Sequence, residues 1–421
     1  MKKEITISIF EDELTSRFFP LAYFRPIYNL RTGIFSLKEK IFLSYKNINQ
    51  GILCREYLSD YMKIKNNSLI VNDIKTDDVL FLNGRILADK HLAKTIPLKG
   101  EEEVFISNDT IVAIRAKGNL AKIIIKNYDG KIDSSLIKSL PKKNVNVRLI
   151  ENLWDLIKFN GEEIENDAKH FKSFSTKNID IHKSVHLLNK KQISIGRGTI
   201  IKPNVVIDAE NGPVVIGENV TILPQSVIIG PAFIGNNSTV KVGTVIYKNS
   251  SIGAMCKVGG EIEGTIIHGY SNKQHDGFLG HAYIGAWVNL GADTINSDLK
   301  NNYGNVKVHI GGEPVDSKMQ FVGSFIGDHT KTAINSVLNT GTVIGVSSNI
   351  FGFGFPPKFV PAFSWGAAGE TFTTFDIEKA IIVAERMMLR RKIILTNEEK
   401  ILFRKIFLLT KAERIKRGMP S

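Results

Sequence analysis

Cysteine is scarce in this chain, and long apolar segments are absent. Two of the 421 residues are cysteine, Cys54 and Cys256, too few for the disulfide framework of a small secreted domain. No segment has the roughly 20 consecutive apolar residues that cross a bilayer, and the N-terminus lacks the apolar run of a signal peptide. We therefore expect a cytoplasmic protein without a membrane partner.

The interleaving of basic and aromatic residues that is typical of nucleic-acid-binding proteins is also missing. The formal net charge is +13, which can attract nucleotides, sugar phosphates or coenzyme A. Basic residues are spread from end to end, however, and concentrate only near the C-terminus, between Arg386 and Arg417. A lysine-rich solvated surface accounts for this distribution, and we expect no nucleic acid partner.

What the chain does contain is an aliphatic residue at every sixth position across its centre. A period of six fits neither an α-helix nor a simple alternating strand, but it fits a solenoid with three flat faces per coil. A β-sandwich that is periodic by chance is the alternative, and eight successive matches argue against it. The pattern predicts a left-handed parallel β-helix, against the usual right-handed crossover rule. The eight positions are Ile216, Ile222, Ile228, Ile234, Val240, Ile246, Ile252 and Val258.

Three regions follow one another along the chain. Residues 1–174 alternate candidate strands with helical patterns and end in a helical connector, which predicts a Rossmann-like α/β domain with a mostly parallel sheet. Residues 175–355 carry the six-residue ladder, and residues 356–421 begin with a proline-rich break and continue as amphipathic helices. The predicted N-terminal strands are 5–10, 68–71, 78–82 and 110–114.

A polar segment interrupts the ladder between Val258 and Ile284, and it contains His268, His275 and His281. Loops on a rigid scaffold often carry binding and catalytic residues, and an imidazole can accept a proton from an amine near neutral pH. The alternative is that these are ordinary surface histidines, and we prefer it for His268 and His281. No cysteine or tight histidine spacing supports a zinc site, so we predict no bound metal here.

The segments 274–285 and 288–295 resemble the hexapeptide-repeat acetyltransferase domain of GlmU-like proteins, which join acetyl transfer to uridylyl transfer. The resemblance covers about residues 190–350. It implies that His275 is the catalytic base and that Asn289 contacts the substrate. It also aligns further substrate-binding positions with Lys241, Asn302, Tyr303 and Lys307.

Three positions depart from the pattern of that family. Phe278 stands where the family has a tyrosine, Gly264-Thr265 stand where it has a lysine, and His281 replaces an aspartate. The loss of two polar groups in a sugar-phosphate pocket can change the acceptor. The resemblance therefore supports the chemistry more firmly than the substrate.

Segments 296–303, 326–335 and 363–366 resemble an alternative, Bacteroidetes-type GlmU-like subfamily of sugar nucleotidyltransferases, and this resemblance extends over nearly the whole chain. It implies an α/β nucleotidyltransferase-like N-terminal domain, a β-helix acyltransferase domain and C-terminal helices. Hexapeptide solenoids of this kind are trimers that bind acyl donor and acceptor between adjacent prisms, so we expect a homotrimer.

In the N-terminal domain, the subfamily pattern places Arg25, Arg31 and Lys40 where they can hold a nucleoside triphosphate; ordinary surface charge is the alternative. The usual glycine-rich phosphate loop is missing, since residues 10–17 contain no glycine. Asn83 stands at the end of the strand where a metal-binding aspartate is usual, and an amide is a poor replacement for a carboxylate ligand of Mg²⁺.

These observations predict a bifunctional enzyme. The solenoid would acetylate an amino sugar 1-phosphate such as glucosamine-1-phosphate with acetyl-CoA. The N-terminal domain would join the product to a nucleotide, with Mg²⁺, to give a nucleotide sugar such as UDP-N-acetylglucosamine. Three alternatives remain open: a nucleotidyltransferase whose solenoid only trimerises it, an acyltransferase with an inactive N-terminal domain, and a scaffold without catalytic activity.

Overall fold

The computed structural model describes residues 5–172, 178–368 and 371–419. The N-terminal domain is built on one sheet with the strand order β3-β2-β1-β4-β6-β5-β7, in which β1 pairs in parallel with both β2 and β4. It confirms the predicted α/β class. The strands are β1 (Ile5–Phe10), β2 (Asn49–Ile52), β3 (Ile70–Val71), β4 (Asp78–Asn83), β5 (Glu103–Ser107), β6 (Thr110–Lys117) and β7 (Lys142–Asn144).

The helices lie around this sheet, in the connector and at the C-terminal end. Their starts follow capping rules: Ser36 and Thr396 each form a capping box with the glutamate three residues later. The α-helices are α1 (Leu37–Leu43), α2 (Ser59–Lys65), α3 (Leu92–Thr95), α4 (Gly118–Lys126), α5 (Leu153–Lys158), α6 (Asn160–Ala168), α7 (Ile377–Leu389), α8 (Asn397–Leu409) and α9 (Lys411–Lys416). Short 3₁₀ helices are Glu13–Phe18, Ile27–Asn29, Glu56–Leu58, Ser134–Ile137 and Lys190–Gln192.

The middle of the chain is the predicted left-handed parallel β-helix, a prism with three faces of short parallel strands. Asn289 bridges the two halves of the first face through single pairings with Asn272 and Lys331. The first-face strands are Asp180–Ile181, Ile200–Ile201, Thr221–Ile222, Thr239–Val240, Lys257–Val258, Asn272–Lys273, Lys331–Thr332, Asn349–Phe351 and Ser364–Ala367, with Thr373–Thr374 antiparallel at the end.

The second and third faces complete each coil. The second-face strands are His186–Leu188, Val206–Asp208, Val227–Ile229, Val245–Ile246, Glu261–Glu263, Phe278–Gly280, Ile295–Asn296 and Val337–Leu338. The third-face strands are Ile193–Ile195, Val214–Ile216, Ala232–Ile234, Ser250–Ile252, Ile266–Ile267, Tyr283–Ile284, Phe325–Ile326, Val343–Ile344 and Phe359–Val360. An antiparallel hairpin, Lys307–Ile310 with Glu313–Asp316, leaves the coil and packs through Val308 into the large hydrophobic cluster.

The six-residue ladder forms the interior of the prism, as predicted. All eight positions from Ile216 to Val258 are at most 2% exposed and belong to one hydrophobic cluster. Each side chain stacks on its equivalent in the neighbouring coils, so burial of the aliphatic columns supplies the main stabilisation of the solenoid.

The predicted interruption of the ladder is wrong. Between Val258 and Ile284 the coils continue, and the inward positions are taken by Ile262, Ile267, Lys273 and Leu279, all nearly inaccessible to solvent. What changes is the number of residues between successive inward positions. Because the corner at Gly259-Gly260 is short, Ile262 follows Val258 by four residues instead of six.

The parallel pairing also extends beyond residue 355, where the sequence placed the end of the solenoid. Phe359–Val360 pairs with Val343–Ile344, and Ser364–Ala367 pairs with Asn349–Phe351. The proline-rich segment 355–361 therefore stays part of the solenoid and contributes its next coil.

The N-terminal domain packs on the outer side of the third face. Val215 and Phe233 form a cluster with Ile34 and Ile164 of the N-terminal domain and connector. Tyr283 accepts a hydrogen bond through its hydroxyl from the backbone N–H of Arg31 at 2.9 Å. Helices α7 and α8 join the same large core, so one chain folds back to cover this face from both ends.

The outer surfaces of the other two faces differ from the third. The end of helix α7 lies over part of the first face, and on the second face the outward residues Val206, Val227 and Val245 are partly exposed. None of the helices within the described ranges is long and apolar enough to cross a bilayer.

Candidate functional site

His275 lies on the corner loop that joins the first face to the second face. The preceding strand is Asn272–Lys273 and the following one is Phe278–Gly280. His275 and Asp276 are both exposed. The loop stacks directly on the corner of the coil beneath it, where a Cβ on Gly259 would stand 2.7 Å from the carbonyl oxygen of Gln274. The glycine therefore allows the close approach that fixes this corner.

A buried lysine holds the loop of His275 from below. The Lys273 side chain occupies an inward position of the ladder, and its Nζ donates hydrogen bonds to the carbonyl oxygens of Gly259 (3.1 Å), His275 (2.7 Å) and Asp276 (3.1 Å). Burial lowers the pKa of Lys273 from its ordinary value of 10.5 to about 8. The Lys273 ammonium thus supports the loop that carries His275, which the sequence did not reveal.

An open pocket of about 360 Å³ lies on the first face, beneath the C-terminal end of α7. We call it the α7 pocket. Asn289, a predicted substrate-binding residue, lines it, and so does Gln274, the neighbour of His275. The structure therefore brings Asn289 and the corner of His275 to one cavity.

The α7 pocket is strongly basic. Its lining contains five cationic side chains and no carboxylate. Burial lowers the pKa of Lys257, and the nearby charges of Arg391, Lys241 and Arg390 lower it further. Lys241, the predicted sugar-phosphate residue, lies on the neighbouring coil, where its backbone N–H donates to the carbonyl oxygen of Val258 at 2.8 Å. The five cationic residues are Lys257, Lys331, Arg386, Arg390 and Arg391.

The polar and aromatic lining of the α7 pocket is ordered. Arg391 donates a hydrogen bond from Nη2 to the Oδ1 of Asn272 at 2.8 Å. The Asn272 amide in turn donates to the Oδ1 of Asn289 at 3.4 Å. Tyr270 and Trp287 stack with their ring centroids 4.3 Å apart, and both line the pocket. Side chains that already hold one another lose little freedom when a ligand binds.

The other side of the His275 corner is acidic. Glu261 is exposed and Glu263 half-buried on the second-face strand that pairs with Phe278–Gly280. His281, at the far end of that strand, pairs through Nδ1 with the Oδ2 of Asp298 at 2.8 Å. His281 is therefore not an ordinary surface histidine, contrary to our preference. The pairing was invisible in the sequence because it joins two coils.

His268 also differs from a surface histidine. Its Nε2 is buried without a hydrogen-bond partner, and its ring contacts the ring of Tyr283 at the joint between solenoid and N-terminal domain. Burial lowers the pKa of His268 well below its ordinary value, and the charges of Arg25 and Arg31 add to this effect. The ring is thus neutral and structural.

Three predicted substrate residues lie apart from the α7 pocket. Asn302, Tyr303 and Lys307 are exposed on the insertion that leads into the hairpin, and Tyr303 is 69% exposed. None of them lines the pocket. Within the described part of this one chain, the structure does not join them to His275.

The carboxyl edge of strands β1 and β4 is filled by internal ion pairs. Asp12 binds Arg85, with Oδ2 2.6 Å from Nη2, and also accepts a hydrogen bond from the amide of Asn83 at 2.8 Å. Glu11 binds Arg55 at 3.0 Å. Instead of a glycine-rich loop, a 3₁₀ helix (Glu13–Phe18) capped by Asp12 follows β1.

This edge does not fit a magnesium ion. The carboxylate oxygens of Asp12 and Glu11 are bound to guanidinium groups, and the Asn83 side chain bonds to Asp12 and to the backbone. Mg²⁺ requires free oxygen ligands in an octahedral arrangement. Among the described residues, no group of three or more metal-binding side chains is found.

The three predicted phosphate-binding cations of the N-terminal domain contact the connector or the solenoid, and their role toward a nucleotide stays a prediction. Lys40 is buried between Glu163 and Asp167, at 2.7 and 2.5 Å. Arg25 pairs with Asp328 of the solenoid. The Arg31 guanidinium lies 5.4 Å from the ring centre of Phe233. All three join the domain to the connector or the solenoid, and their distant partners could not be inferred from local sequence.

Comparisons with known proteins find matches to the N-terminal domain and to most of the chain. A family described as "Sugar nucleotidyl transferase" matches residues 7–176. The chain is 30% identical over 357 residues to the "Bifunctional protein GlmU" of Methanococcus maripaludis, which covers 74% of this chain and 80% of that protein. It is 31% identical over 117 residues to the "Bifunctional sugar-1-phosphate nucleotidylyltransferase/acetyltransferase" of Sulfurisphaera tokodaii, which covers 28% of each.

Several other relatives match over only part of their length, and the chain covers about a third of some of them. Among solved structures, the UDP-N-acetylglucosamine acyltransferase from Campylobacter jejuni covers 56% of this chain and 94% of its own, at 13% identity and a TM-score of 0.30. That structural similarity is too low to support an argument about function.

Proposed function

The chain belongs to the family of bifunctional GlmU proteins, and we propose that its solenoid transfers an acetyl group from acetyl-CoA to the amine of an amino sugar 1-phosphate. Glucosamine-1-phosphate is the proposed acceptor. One observation carries this proposal: an exposed imidazole stands on a rigid corner between a basic pocket and an acidic surface. The cations suit the phosphate groups that both donor and acceptor carry, and the carboxylates suit the ammonium of the acceptor.

In the proposed reaction, the acceptor ammonium first loses one proton to solvent. The free amine nitrogen then attacks the thioester carbonyl, and a C–N bond forms. His275 accepts the proton that the nitrogen loses, in the role of general base. The C–S bond then breaks, and the coenzyme A thiolate that leaves takes up that proton. Lys273 keeps the loop in place through the carbonyl oxygens of His275 and Asp276, so the imidazole is positioned by backbone contacts.

We further propose that the N-terminal domain transfers a nucleotide to the acetylated sugar phosphate. The match of residues 7–176 to sugar nucleotidyl transferases and the α/β sheet support this second activity. Because the edge of β1 and β4 does not fit a magnesium ion, we derive no catalytic step there.

The filled edge supports a second candidate function, an acetyltransferase whose N-terminal domain has lost nucleotidyl transfer. Asp12 with Arg85 and Glu11 with Arg55 occupy the positions where phosphates and metal would bind. In this case the N-terminal domain would serve as the cover of the third face.

A homotrimer is the proposed assembly. The second face carries a column of partly exposed aliphatic residues on its outer side, Val206, Val227 and Val245, with Ile295 40% exposed. Pairing this surface with a neighbouring prism would bury it and place His275 near the interface. The cytoplasmic location remains a prediction.

A coupled assay tests these proposals. Purified protein is incubated with glucosamine-1-phosphate, acetyl-CoA and UTP, and the products are identified by mass spectrometry. N-acetylglucosamine-1-phosphate together with UDP-N-acetylglucosamine supports the bifunctional enzyme. The acetylated sugar phosphate alone supports the second candidate, and no acetylated product from any amino sugar phosphate contradicts both.

A further inference from the structure

We propose that His281, oriented by Asp298, recognises the sugar ring of the acceptor. In this arrangement the Nε2 of His281 accepts a hydrogen bond from a hydroxyl group of the sugar, and the ring of Phe278 packs against the sugar carbons. The inference rests on the proposed function. It concerns a position at which the chain departs from the family pattern, because His281 replaces an aspartate, so the resemblance assigns it no role.

The His281 ring is held at a corner of the prism by the coils on either side. His281 follows the second-face strand Phe278–Gly280, and its Nδ1 lies 2.8 Å from the Oδ2 of Asp298 in the next coil. In the preceding coil the ring lies against Gly264, where a Cβ would stand 2.8 Å from the Nε2 of His281. Any side chain at position 264 would displace the ring, so the glycine leaves the space that the imidazole needs.

Asp298 determines which ring nitrogen is offered to a ligand. Its side chain is 12% exposed, and an ionised carboxylate can only accept hydrogen bonds, so the Nδ1 of His281 carries the proton that joins them. The Nε2 of the neutral ring then has a free lone pair. It has no hydrogen-bond partner among the described residues, and the His281 side chain is 24% exposed. A fixed acceptor at the surface suits a ligand that brings an O–H donor.

Aromatic side chains form apolar walls beside this acceptor. A Cβ on Gly280 would meet the Phe278 ring at 2.5 Å and the carboxylate of Asp298 as well, so the ring lies directly beside the His281–Asp298 pair. The ring of Phe321, which is 42% exposed, has its centroid 5.5 Å from that of His281. A pyranose ring has apolar C–H faces and hydroxyl groups at its edge, which match aromatic walls around a hydrogen-bond acceptor.

The phosphate of the acceptor does not suit this position. Phosphate oxygens accept hydrogen bonds, and so does the Nε2 of the neutral imidazole, so the two cannot bond to each other. Glu263, which pairs with Gly280 across the coils and is half-buried, adds a carboxylate that repels phosphate and attracts an ammonium group. The hydroxyl-bearing part of the sugar is therefore the part that His281 contacts.

The position of this contact is compatible with acetyl transfer at His275. His275 and His281 lie at the two ends of the same second-face strand, with Phe278 between them. Six residues of extended chain span at most about 20 Å, and a strand with a corner spans less. A sugar that lies on Phe278 thus has one imidazole on each side.

The test measures whether His281 and one sugar hydroxyl depend on each other. Isothermal titration calorimetry of the full chain, without acetyl-CoA, compares glucosamine-1-phosphate with its 3-deoxy, 4-deoxy and 6-deoxy analogues. The variants are His281→Asn, Asp298→Asn and the control His186→Asn, an exposed histidine several coils away on the same face. Asparagine suits position 281 because it readily adopts the left-handed backbone found there, with φ of 43°. Thermal unfolding checks that each variant is folded.

We expect the wild type to bind one deoxy analogue about three- to tenfold more weakly than the parent compound, the scale of one neutral hydrogen bond. His281→Asn should bind the parent compound more weakly by a similar factor and should no longer distinguish it from that analogue. Asp298→Asn should also weaken binding, and His186→Asn should match the wild type. An equal loss for every analogue in wild type and His281→Asn, wild-type affinity in His281→Asn, or no binding of glucosamine-1-phosphate would overturn the inference.

These outcomes are separate from those of the coupled assay. If glucosamine-1-phosphate is acetylated but no analogue depends on His281, the proposed function stands and the role of His281 fails. If one analogue depends on His281 but no acetylated product forms, His281 recognises the sugar and the proposed acetyl transfer fails.

Discussion

The two candidate sites of this chain handle their charges in opposite ways. At the edge of β1 and β4, Arg85 and Arg55 are paired with Asp12 and Glu11 and buried. In the α7 pocket, cations face a cavity without a carboxylate in its lining. Cations that already have carboxylate partners need no ligand to balance their charge. Cations without such partners can be balanced by an anionic ligand. The comparison teaches that the presence of arginine and lysine predicts little until their partners are known.

The largest expected effect comes from removing the imidazole beside the unpaired site. His275→Ala should lower the rate of acetyl transfer by about 10²- to 10⁴-fold, the range for loss of a general base. Nucleotidyl transfer to supplied N-acetylglucosamine-1-phosphate should be unchanged. His186→Ala, which removes an exposed histidine elsewhere on the solenoid, is the control. Acetylation at the wild-type rate in His275→Ala would show that His275 is not the general base.

Breaking a paired site should affect stability more than activity. Arg85→Met leaves the buried carboxylate of Asp12 without its partner, and loss of one member of a buried pair costs about 3–5 kcal/mol in the free energy of unfolding. Urea denaturation followed by circular dichroism measures it. The double variant Asp12→Asn with Arg85→Met should recover part of the loss, and a single variant as stable as the wild type would show that the pair is dispensable.

The buried Lys273 should give a pH-dependent difference in stability. Its pKa is lowered to about 8 in the folded protein, while the unfolded chain keeps the proton up to about 10.5. Between these values the unfolded state binds more protons, so stability rises with pH, by up to about 1.4 kcal/mol per pH unit. Urea denaturation between pH 7.5 and 10 should show the wild type gaining relative to Lys273→Met. Parallel curves would contradict the lowered pKa.

The smallest effect is expected from the unpaired cations themselves. Arg390→Gln should change the free energy of unfolding by less than about 0.5 kcal/mol, because Arg390 is exposed and has no ion-pair partner among the described residues. Thermal unfolding of the ligand-free protein measures it. If Arg390→Gln lowered the free energy of unfolding as much as Arg85→Met, the two sites would not differ in how their cations contribute to stability.

Much of the fold could be predicted because its signals are local or periodic. The ladder from Ile216 to Val258 follows from spacing alone, and the start of α8 follows from the capping box of Thr396 and Glu399. The coils after Val258 escaped the prediction because their corners shorten and because Lys273 takes an inward position that normally holds an aliphatic residue.

The candidate site was only half predictable, for a different reason. His275 and Asn289 are recognisable from motifs within one stretch of sequence. The basic wall of the α7 pocket depends on residues 386–391 folding back over residues 257–331, and the partner of Lys40 lies more than 120 positions away. The sequence shows that arginine is concentrated near the C-terminus, but it does not show that these arginines lie against the first face.

The apolar outer strip of the third face, which includes Val215, Phe233 and Tyr283, has a consequence for the history of this chain. A chain of residues 178–419 alone would expose this apolar surface to solvent, and large exposed apolar patches favour aggregation. Even if nucleotidyl transfer were lost, the N-terminal half would still be retained as the lining of that flank. The packing role of the N-terminal domain is therefore independent of any activity that it has.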